Sequence, residues 1–300
     1  MKKFLIHIFI FFAIVAIIDI GFGFVGRYLN SHAKGGDTYN HFYIANEMKD
    51  SVLIFGSSRA IHHFNPKILE DSLGMKVYNC GLDGNGILYN YGRLLTILDR
   101  YKPKMIIYDI MPSYDIKPDD HTKYLQWQKR WYDRQGIKEI FEDINPLERY
   151  KMVSNLYRYN TSFIQMFSDN IKPQQTIYKG YKPLYEEIDY DIVDNIPQNA
   201  VIWDNLKMEY FRKFVELCQE NGVELIISYS PWYKVKDSHI FDVFNKFAAE
   251  YNLPVIDLYA DPELAYSPEN FADASHLNSV GADKFTSKFY SILKKLKSSN

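Results

Sequence analysis

The sequence predicts an α/β protein in which helices cover both faces of a five-stranded parallel sheet. Short apolar runs alternate with segments of helical periodicity, and glycine, proline and asparagine separate the two kinds of segment. Runs such as 52–55 and 225–227 are apolar along their whole length, which is typical of strands buried on both faces. Right-handed crossovers between such strands give a doubly wound three-layer α/β/α sandwich.

Strands and helices are predicted in alternation along the chain. The predicted strands are 52–55, 76–79, 105–110, 223–228 and 255–258, and the predicted helices are 87–100, 203–220, 237–251 and 279–296. In the helix 203–220, apolar residues recur every three or four positions, and Asn221-Gly222 then provides a C-terminal stop.

An apolar run from Phe4 to Val25 follows Lys2-Lys3 at the N-terminus. About 20 apolar residues span a bilayer as a helix, whereas the apolar core of a cleaved signal peptide is usually about 7–15 residues long. We therefore expect residues 1–26 to be an uncleaved anchor, with a cleaved signal as the alternative. Lysines before the span predict a cytoplasmic N-terminus, so the main domain is expected on the periplasmic or extracellular side of the cytoplasmic membrane.

Asp19 lies within this apolar run and is expected either to face a partner membrane protein or to lie near the outer interface. Residues 27–50 are predicted to be a juxtamembrane connection, and 51–300 the α/β domain. A stretch at about 111–200, rich in tyrosine and containing Trp127 and Trp131, interrupts the alternation. We predict that it is a helical and irregular insertion that acts as a lid or a docking surface.

Composition excludes several classes of function. The net charge is −2 and there is no long basic run, so no nucleic-acid partner is predicted. Cys80 and Cys218 are the only cysteines and are interpreted as buried apolar residues. No cluster has metal-ligand spacing, and the glycine-rich segment 81–86 lacks the Lys-Ser/Thr of a phosphate-binding loop. Neither a metal nor a cofactor is therefore expected.

Chemistry is predicted first at the end of the strand 52–55. Gly56 ends the strand, Ser57, Ser58 and Arg59 follow, and Asn65-Pro66 is a helix-start signal. This order places a serine at the carboxyl edge of a parallel sheet, where open α/β folds bind and transform ligands. An ordinary strand-to-helix loop is the alternative interpretation.

A second candidate element is Asp273-Ala274-Ser275-His276, just before the last predicted helix. Serine is a weak nucleophile until a base takes its proton, and a carboxylate can orient the imidazole that does so. The loop follows the fifth strand, so it is expected at the same sheet edge as Ser58. Alternatively, His276 caps the helix and Asp273 makes only a local turn bond.

Together, Gly56-Ser57-Ser58-Arg59, Asn79-Cys80-Gly81 and Asp273-Ala274-Ser275-His276 resemble the SGNH/GDSL hydrolase superfamily. More narrowly, they resemble the membrane-anchored SGNH-like proteins of bacterial envelopes that work beside membrane-bound O-acyltransferases. The resemblance covers about 51–110 and 200–296 and implies a flavodoxin-like, SGNH-hydrolase-like sheet.

The resemblance implies that Ser58 is the nucleophile, with Ser57 as an alternative, and that His276 is the base oriented by Asp273. It also implies that the backbone N–H of Gly81 binds the oxyanion. The family's Gly-x-Asn-Asp block is missing: the chain reads Asp-Ile-Met-Pro-Ser-Tyr-Asp at 109–115. Losing such a donor costs about 2.7–4 kcal/mol of transition-state stabilisation. The predicted substitutes for the missing asparagine are Asn85, Ser113 or Arg59.

The function implied by the resemblance is a serine-dependent acyl esterase or O-acyltransferase that acts on a cell-envelope glycan through an acyl-enzyme. Its expected partners are an envelope polysaccharide or acyl-glycan substrate and a multi-pass membrane O-acyltransferase. The alternative is a non-catalytic SGNH-like envelope module that docks a membrane O-acyltransferase or binds polysaccharide.

Overall fold

A computed structural model describes residues 1–119, 121, 125–173, 178–189 and 202–298. The chain forms two compact units. The smaller comprises Met1–Glu47 and His121–Gln175, and the larger comprises Met48–Asp120 and Thr176–Asn300. The predicted insertion at about 111–200 therefore contributes residues to both units, and its positions 120, 122–124, 174–177 and 190–200 lie outside the described residues.

The larger unit contains a five-stranded parallel sheet, so the predicted α/β fold class is confirmed. The strand order is β2-β1-β3-β4-β5, the order of flavodoxin-like doubly wound sheets. The strands are β1 (Val52–Gly56), β2 (Val77–Asn79), β3 (Met105–Asp109), β4 (Glu224–Tyr229) and β5 (Val255–Asp257).

Helices occupy most of the rest of the described chain. In chain order they are α1 (Lys2–His32), α2 (Gly36–Asn46), α3 (Ser58–His63), α4 (Pro66–Leu73), α5 (Ile87–Leu98), α6 (Pro112–Asp115), α7 (Ile137–Ile144), α8 (Glu148–Lys151), α9 (Asn155–Ile171), α10 (Asn205–Glu220), α11 (Asp242–Glu250), α12 (Pro262–Ala265) and α13 (Ser279–Ser298).

Alternate residues of β1 face opposite layers of the larger unit. Val52 and Ile54 belong to the same buried cluster as Phe285 and Phe289 of α13. Phe55 points to the other face, where its ring centroid lies 5.7 Å from that of Phe214 in α10. Burying each such side chain contributes about 1.5–3 kcal/mol, which explains why a strand without polar positions is stable here.

The helix-start signal at Asn65-Pro66 is confirmed at α4. The Asn65 Oδ1 accepts a hydrogen bond of 3.0 Å from the Lys67 N–H, and Pro66 takes the first helical position. Gly74 ends the helix in the left-handed conformation, with φ 64°. This helix therefore has both of its ends specified by local residues.

The smaller unit contains α1, a helix that is long and apolar enough to cross a membrane, with a mean hydropathy of 2.7 over its most apolar 18 residues. Its buried residues lie mainly in the second half, where α1 packs against α9. The Asp19 carboxylate accepts hydrogen bonds from the Ser154 hydroxyl and from the backbone N–H groups of Asn155 and Leu156. Asp19 therefore has its polar partners in this chain's own α9.

Candidate active site

The turn after β1 depends on Gly56. Its φ is +139°, and a Cβ there would lie 2.6 Å from the Asp109 carbonyl oxygen and 2.9 Å from the Ala60 Cβ. Only glycine fits this combination of backbone conformation and close approach. Ser57 continues in extended conformation, and Ser58 begins α3 with its side chain partly exposed.

Ser58, His276 and Asp273 lie in a line of hydrogen bonds. The Ser58 Oγ is 2.8 Å from the His276 Nε2, and the His276 Nδ1 is 2.8 Å from the Asp273 Oδ2. A carboxylate only accepts hydrogen bonds, so His276 carries its proton on Nδ1 and Nε2 accepts from the serine hydroxyl. This arrangement lets His276 take the proton of Ser58 as a general base.

The loop around Asp273 fixes the carboxylate before any substrate binds. The Asp273 Oδ1 accepts the backbone N–H groups of Ser275 and His276 at 2.8 and 2.9 Å, and the Ser275 hydroxyl at 2.9 Å. Burial alone would raise the pKa of Asp273, but the hydrogen bonds from His276 and Ser275 lower it to about 2. The group is therefore charged at neutral pH and can stabilise an imidazolium.

His63 supports the same loop from inside the protein. It is fully buried, and the Leu277 N–H donates to its Nε2 at 3.0 Å. Burial, together with the charges of Arg59 and His276, holds the pKa of His63 well below its usual range, so the ring is neutral. His63 thereby positions the backbone immediately after His276.

The sequence did not predict that His63 belongs to the site, because residues that are neighbours on a turn need not point to the same place. In the structure, the rings of His62 and His63 lie with centroids 5.5 and 6.2 Å from that of His276. The available signal was the helix start at Ser58, which places the whole pair 62–63 within about one further turn of the nucleophile.

The backbone N–H of Gly81, which the resemblance implies as an oxyanion donor, is already hydrogen-bonded within the protein. Its N–H donates to the Asn79 Oδ1 at 3.0 Å, while the Asn79 Nδ2 donates to the Ala60 carbonyl at 2.7 Å. A Cβ at position 81 would lie 2.7 Å from the Ile61 backbone nitrogen. Gly81 is thus placed where backbone segments pack closely, with its N–H already bonded.

None of the three predicted substitutes for the missing asparagine is hydrogen-bonded to Ser58 in the described structure. Asn85 is buried and donates from Nδ2 to the Asp83 carbonyl at 2.7 Å, which closes its own turn. Arg59 is fully buried and donates to the Ser230 hydroxyl at 3.0 Å. Ser113 is partly exposed on α6, and no hydrogen bond joins it to Ser58 within the described ranges.

The turn that follows β2 contains a backbone N–H group without a hydrogen bond in the described structure. The turn 82–85 is closed by the Asn85 N–H on the Leu82 carbonyl at 3.2 Å, and Gly84 in it has φ 70°. The neighbouring Asp83 carboxylate lies 3.2 Å from the Nε2 of His62, whose ring is edge-on to His276. Among the residues described, the N–H of Gly84 has no hydrogen-bond partner.

Arg59, the residue after Ser58, belongs to a buried charged network. The Ser230 hydroxyl accepts from Arg59 and donates to the Asp109 Oδ2 at 2.8 Å, and the Ser230 N–H donates to Oδ1 at 3.0 Å. Burial raises the pKa of Asp109 to about 6, against the opposing charge of Arg59. The hydroxyl of Ser230 therefore bridges the two groups.

Asp115 gives a testable pH dependence. Burial raises its pKa from 3.8 to about 7, although Met111 N–H and Tyr108 OH donate to it at 2.7 and 2.8 Å. Between about pH 4 and pH 7 the folded protein holds a proton that the unfolded chain has lost, so this group's contribution to stability falls as pH rises.

We expect Asp115→Asn to remove that slope. The free energy of unfolding of wild type minus that of the variant should fall as pH rises from 4 to 7, as measured by urea unfolding at several pH values. A difference that stays constant across this range would contradict the assignment.

A scan against protein-family models finds no match, and a search of curated proteins also finds none.

Among solved structures, the chain is similar to a candidate lipolytic protein of the G-D-S-L family from Desulfitobacterium hafniense DCB-2. The two are 15% identical with a TM-score of 0.40, and the match covers 80% of this chain and 97% of that chain. A candidate acylhydrolase from Bacteroides fragilis NCTC 9343 is 11% identical with a TM-score of 0.41, covering 89% and 93%. An acetyl xylan esterase is 13% identical with a TM-score of 0.42, covering 80% and 98%. The case for a catalytic site rests on the distances around Ser58.

Proposed function

We propose that this protein is a membrane-anchored serine acyl esterase or O-acyltransferase of the SGNH type. The observation that carries the proposal is the line of hydrogen bonds from the Ser58 Oγ through His276 to Asp273, each of 2.8 Å. A nucleophile, a base and an orienting carboxylate within hydrogen-bond reach are what acyl transfer through a serine requires.

In the proposed reaction, the Ser58 Oγ attacks the carbonyl carbon of an acyl ester and its proton passes to the His276 Nε2. The tetrahedral oxyanion collapses, the alcohol leaves with the proton from His276, and an acyl-Ser58 ester remains. Water or a sugar hydroxyl then attacks this ester and gives its proton to His276. A second collapse releases the acid or the new ester and restores the Ser58 hydroxyl.

For the oxyanion, we propose the backbone N–H groups of Ser58 and Gly84 in place of Gly81. Within the described part of the chain both N–H groups lack a hydrogen-bond partner, whereas that of Gly81 is bonded to Asn79. The N–H at the start of a helix is also favoured electrostatically as a donor to an anion.

An envelope glycan is the proposed source or acceptor of the acyl group. The apolar helix α1 supports a location at the cytoplasmic membrane, with the larger unit on its outer side. Trp232 supports a sugar ligand, because it is partly exposed and precedes Tyr233, whose N–H donates to Ala274 of the catalytic loop at 3.0 Å. A multi-pass membrane O-acyltransferase is the proposed protein partner.

A serine-reactive fluorophosphonate tests the nucleophile. We expect wild type and Ser57→Ala to be labelled, because the Ser57 hydroxyl is fully buried and has no hydrogen-bond partner among the described atoms. We expect Ser58→Ala to lose labelling altogether. Labelling of Ser58→Ala at the wild-type rate, read by gel fluorescence and peptide mapping, would overturn the proposal.

A non-catalytic envelope module is the second candidate function. Two of the predicted oxyanion donors, Gly81 and Arg59, are engaged elsewhere, and this favours a site without turnover. Such a module would hydrolyse no acetyl ester and resist labelling, and its polysaccharide binding would be the same in wild type and Ser58→Ala.

Analysis of the reaction products distinguishes an esterase from a transferase. An esterase releases the free acid, whereas a transferase forms a new ester on the hydroxyl group of an added sugar.

A further inference from the structure

A short segment of the smaller unit exposes apolar and cationic side chains together. We call residues 146–153 the α8 segment. Leu147, Tyr150 and Val153 are 59%, 68% and 78% exposed, and Arg149 and Lys151 between them are also exposed. Large apolar side chains mixed with tyrosine and basic residues are typical of a surface that meets a membrane interface.

The α8 segment is fixed directly to α1. The residue after Val153 is Ser154, whose hydroxyl donates to the Asp19 carboxylate at 2.6 Å. The N–H groups of Asn155 and Leu156 donate to the same carboxylate, each at 2.9 Å. Asp19 therefore binds the N-terminus of α9, and Val153 directly precedes the first residue that is bonded to Asp19.

The position of Asp19 along α1 matches the edge of an apolar layer. Residues 2–18 of the helix rise about 25 Å at 1.5 Å per residue, close to the roughly 30 Å thickness of a hydrocarbon core. Their apolar side chains are largely exposed, as lipid-facing residues are. With Lys2-Lys3 at one polar boundary, a span of this length reaches the other boundary near Asp19.

Beyond Asp19, α1 and α9 run side by side in the same direction. Tyr159 packs against Gly26, and further along the Asn170 Nδ2 donates to the Leu29 carbonyl at 2.8 Å. Later residues of α9 therefore lie progressively further from the level of Asp19. Ile164 is 81% exposed, but it lies about 14 Å along α9 from Asn155, where the helix begins.

We propose that the α8 segment lies in the lipid interface beside α1. Leu147, Tyr150 and Val153 enter the boundary between headgroups and acyl chains, and Arg149 lies among anionic headgroups, while Lys151 is ion-paired with Glu148 at 2.7 Å. We assign the bilayer itself as the partner of this surface. The α8 segment is followed by the residues that bind Asp19, and the lipid-facing part of α1 ends near Asp19. The smaller unit is then held to the membrane at two points, which restricts its rotation about α1.

Depth-dependent quenching tests this placement in the full chain. Val153→Cys and the control Ile164→Cys are labelled with an NBD maleimide and reconstituted into phosphatidylcholine–phosphatidylglycerol vesicles that contain doxyl-labelled lipid. Native Cys80 and Cys218 are fully or almost fully buried, so unsubstituted protein gives the background. Tyr150→Cys serves as a second site should Val153→Cys fold poorly.

We expect doxyl lipid to quench the probe at 153 several-fold more than the probe at 164, with blue-shifted emission at 153 only. Equal quenching at both positions, or no quenching at 153 and 150, would overturn the proposal. A probe at 153 that is shielded from aqueous iodide yet unquenched by lipid would also overturn it, since a second copy of the chain would then cover the segment.

Discussion

His276→Ala is expected to lower kcat for ester hydrolysis by about 10⁴-fold or more, with little change in KM. Without the imidazole, the Ser58 proton has no acceptor at 2.8 Å, and the leaving alcohol has no general acid. Substrate binding does not need the imidazole, so the loss falls on the chemical step. Initial rates with a chromogenic acetyl ester, measured over a range of concentrations, separate the two parameters.

His62→Gln is the matched control. Its ring lies beside that of His276, but its Nδ1 contacts the Lys182 carbonyl at 2.5 Å and its Nε2 lies 3.2 Å from Asp83. We expect it to keep a rate within about tenfold of wild type, since it forms no hydrogen bond with Ser58 in the described structure. Equal losses in the two variants would mean that His276 is not the base.

The larger unit could be predicted from sequence because its strands are mostly apolar and some of its helices carry their own end signals. Asn65 and Pro66 act within one turn, and Val52–Phe55 needs only burial on two faces. The smaller unit could not be predicted in this way. The N-terminus of its helix α9 is bonded to Asp19, which lies 135 residues before Ser154 in the sequence, and no local pattern specifies that pairing.

The candidate site could also be predicted only in part. Ser58, Asp273 and His276 were predictable because serine, aspartate and histidine are the residue types of a nucleophile, an orienting carboxylate and a base, and because parallel strands bring their carboxyl ends to one edge of the sheet. A backbone N–H carries no such signal: whether Gly81 is available depends on the orientation of the Asn79 side chain. The position of Arg59 was equally hidden, because its partner Ser230 is 171 residues further along the chain.

Arg59→Met is expected to lower the free energy of unfolding by about 3–5 kcal/mol at neutral pH. Methionine fills much of the volume but leaves the fully buried Asp109 without its opposite charge. It also leaves the Ser230 hydroxyl without the guanidinium that donates to it. Urea unfolding of the detergent-solubilised chain measures the change, followed by fluorescence in a Trp127→Phe/Trp131→Phe background, where Trp203 and Trp232 of the larger unit give the signal.

The pH dependence of this loss identifies its cause. Arg59 lowers the pKa of Asp109, so its removal should raise that pKa above about 6. At pH 5 the carboxyl is then mostly protonated in both proteins, whereas at pH 7.5 wild type holds it ionised beside Arg59 and the variant has no such partner. Destabilisation by Arg59→Met should therefore be smaller at pH 5 than at pH 7.5. Adding Asp109→Asn should recover part of the loss at pH 7.5, because no unpaired charge then remains. A loss that is independent of pH and of Asp109 would instead reflect packing against Trp232 and Tyr259, whose ring centroids lie 5.4 Å from the guanidinium carbon.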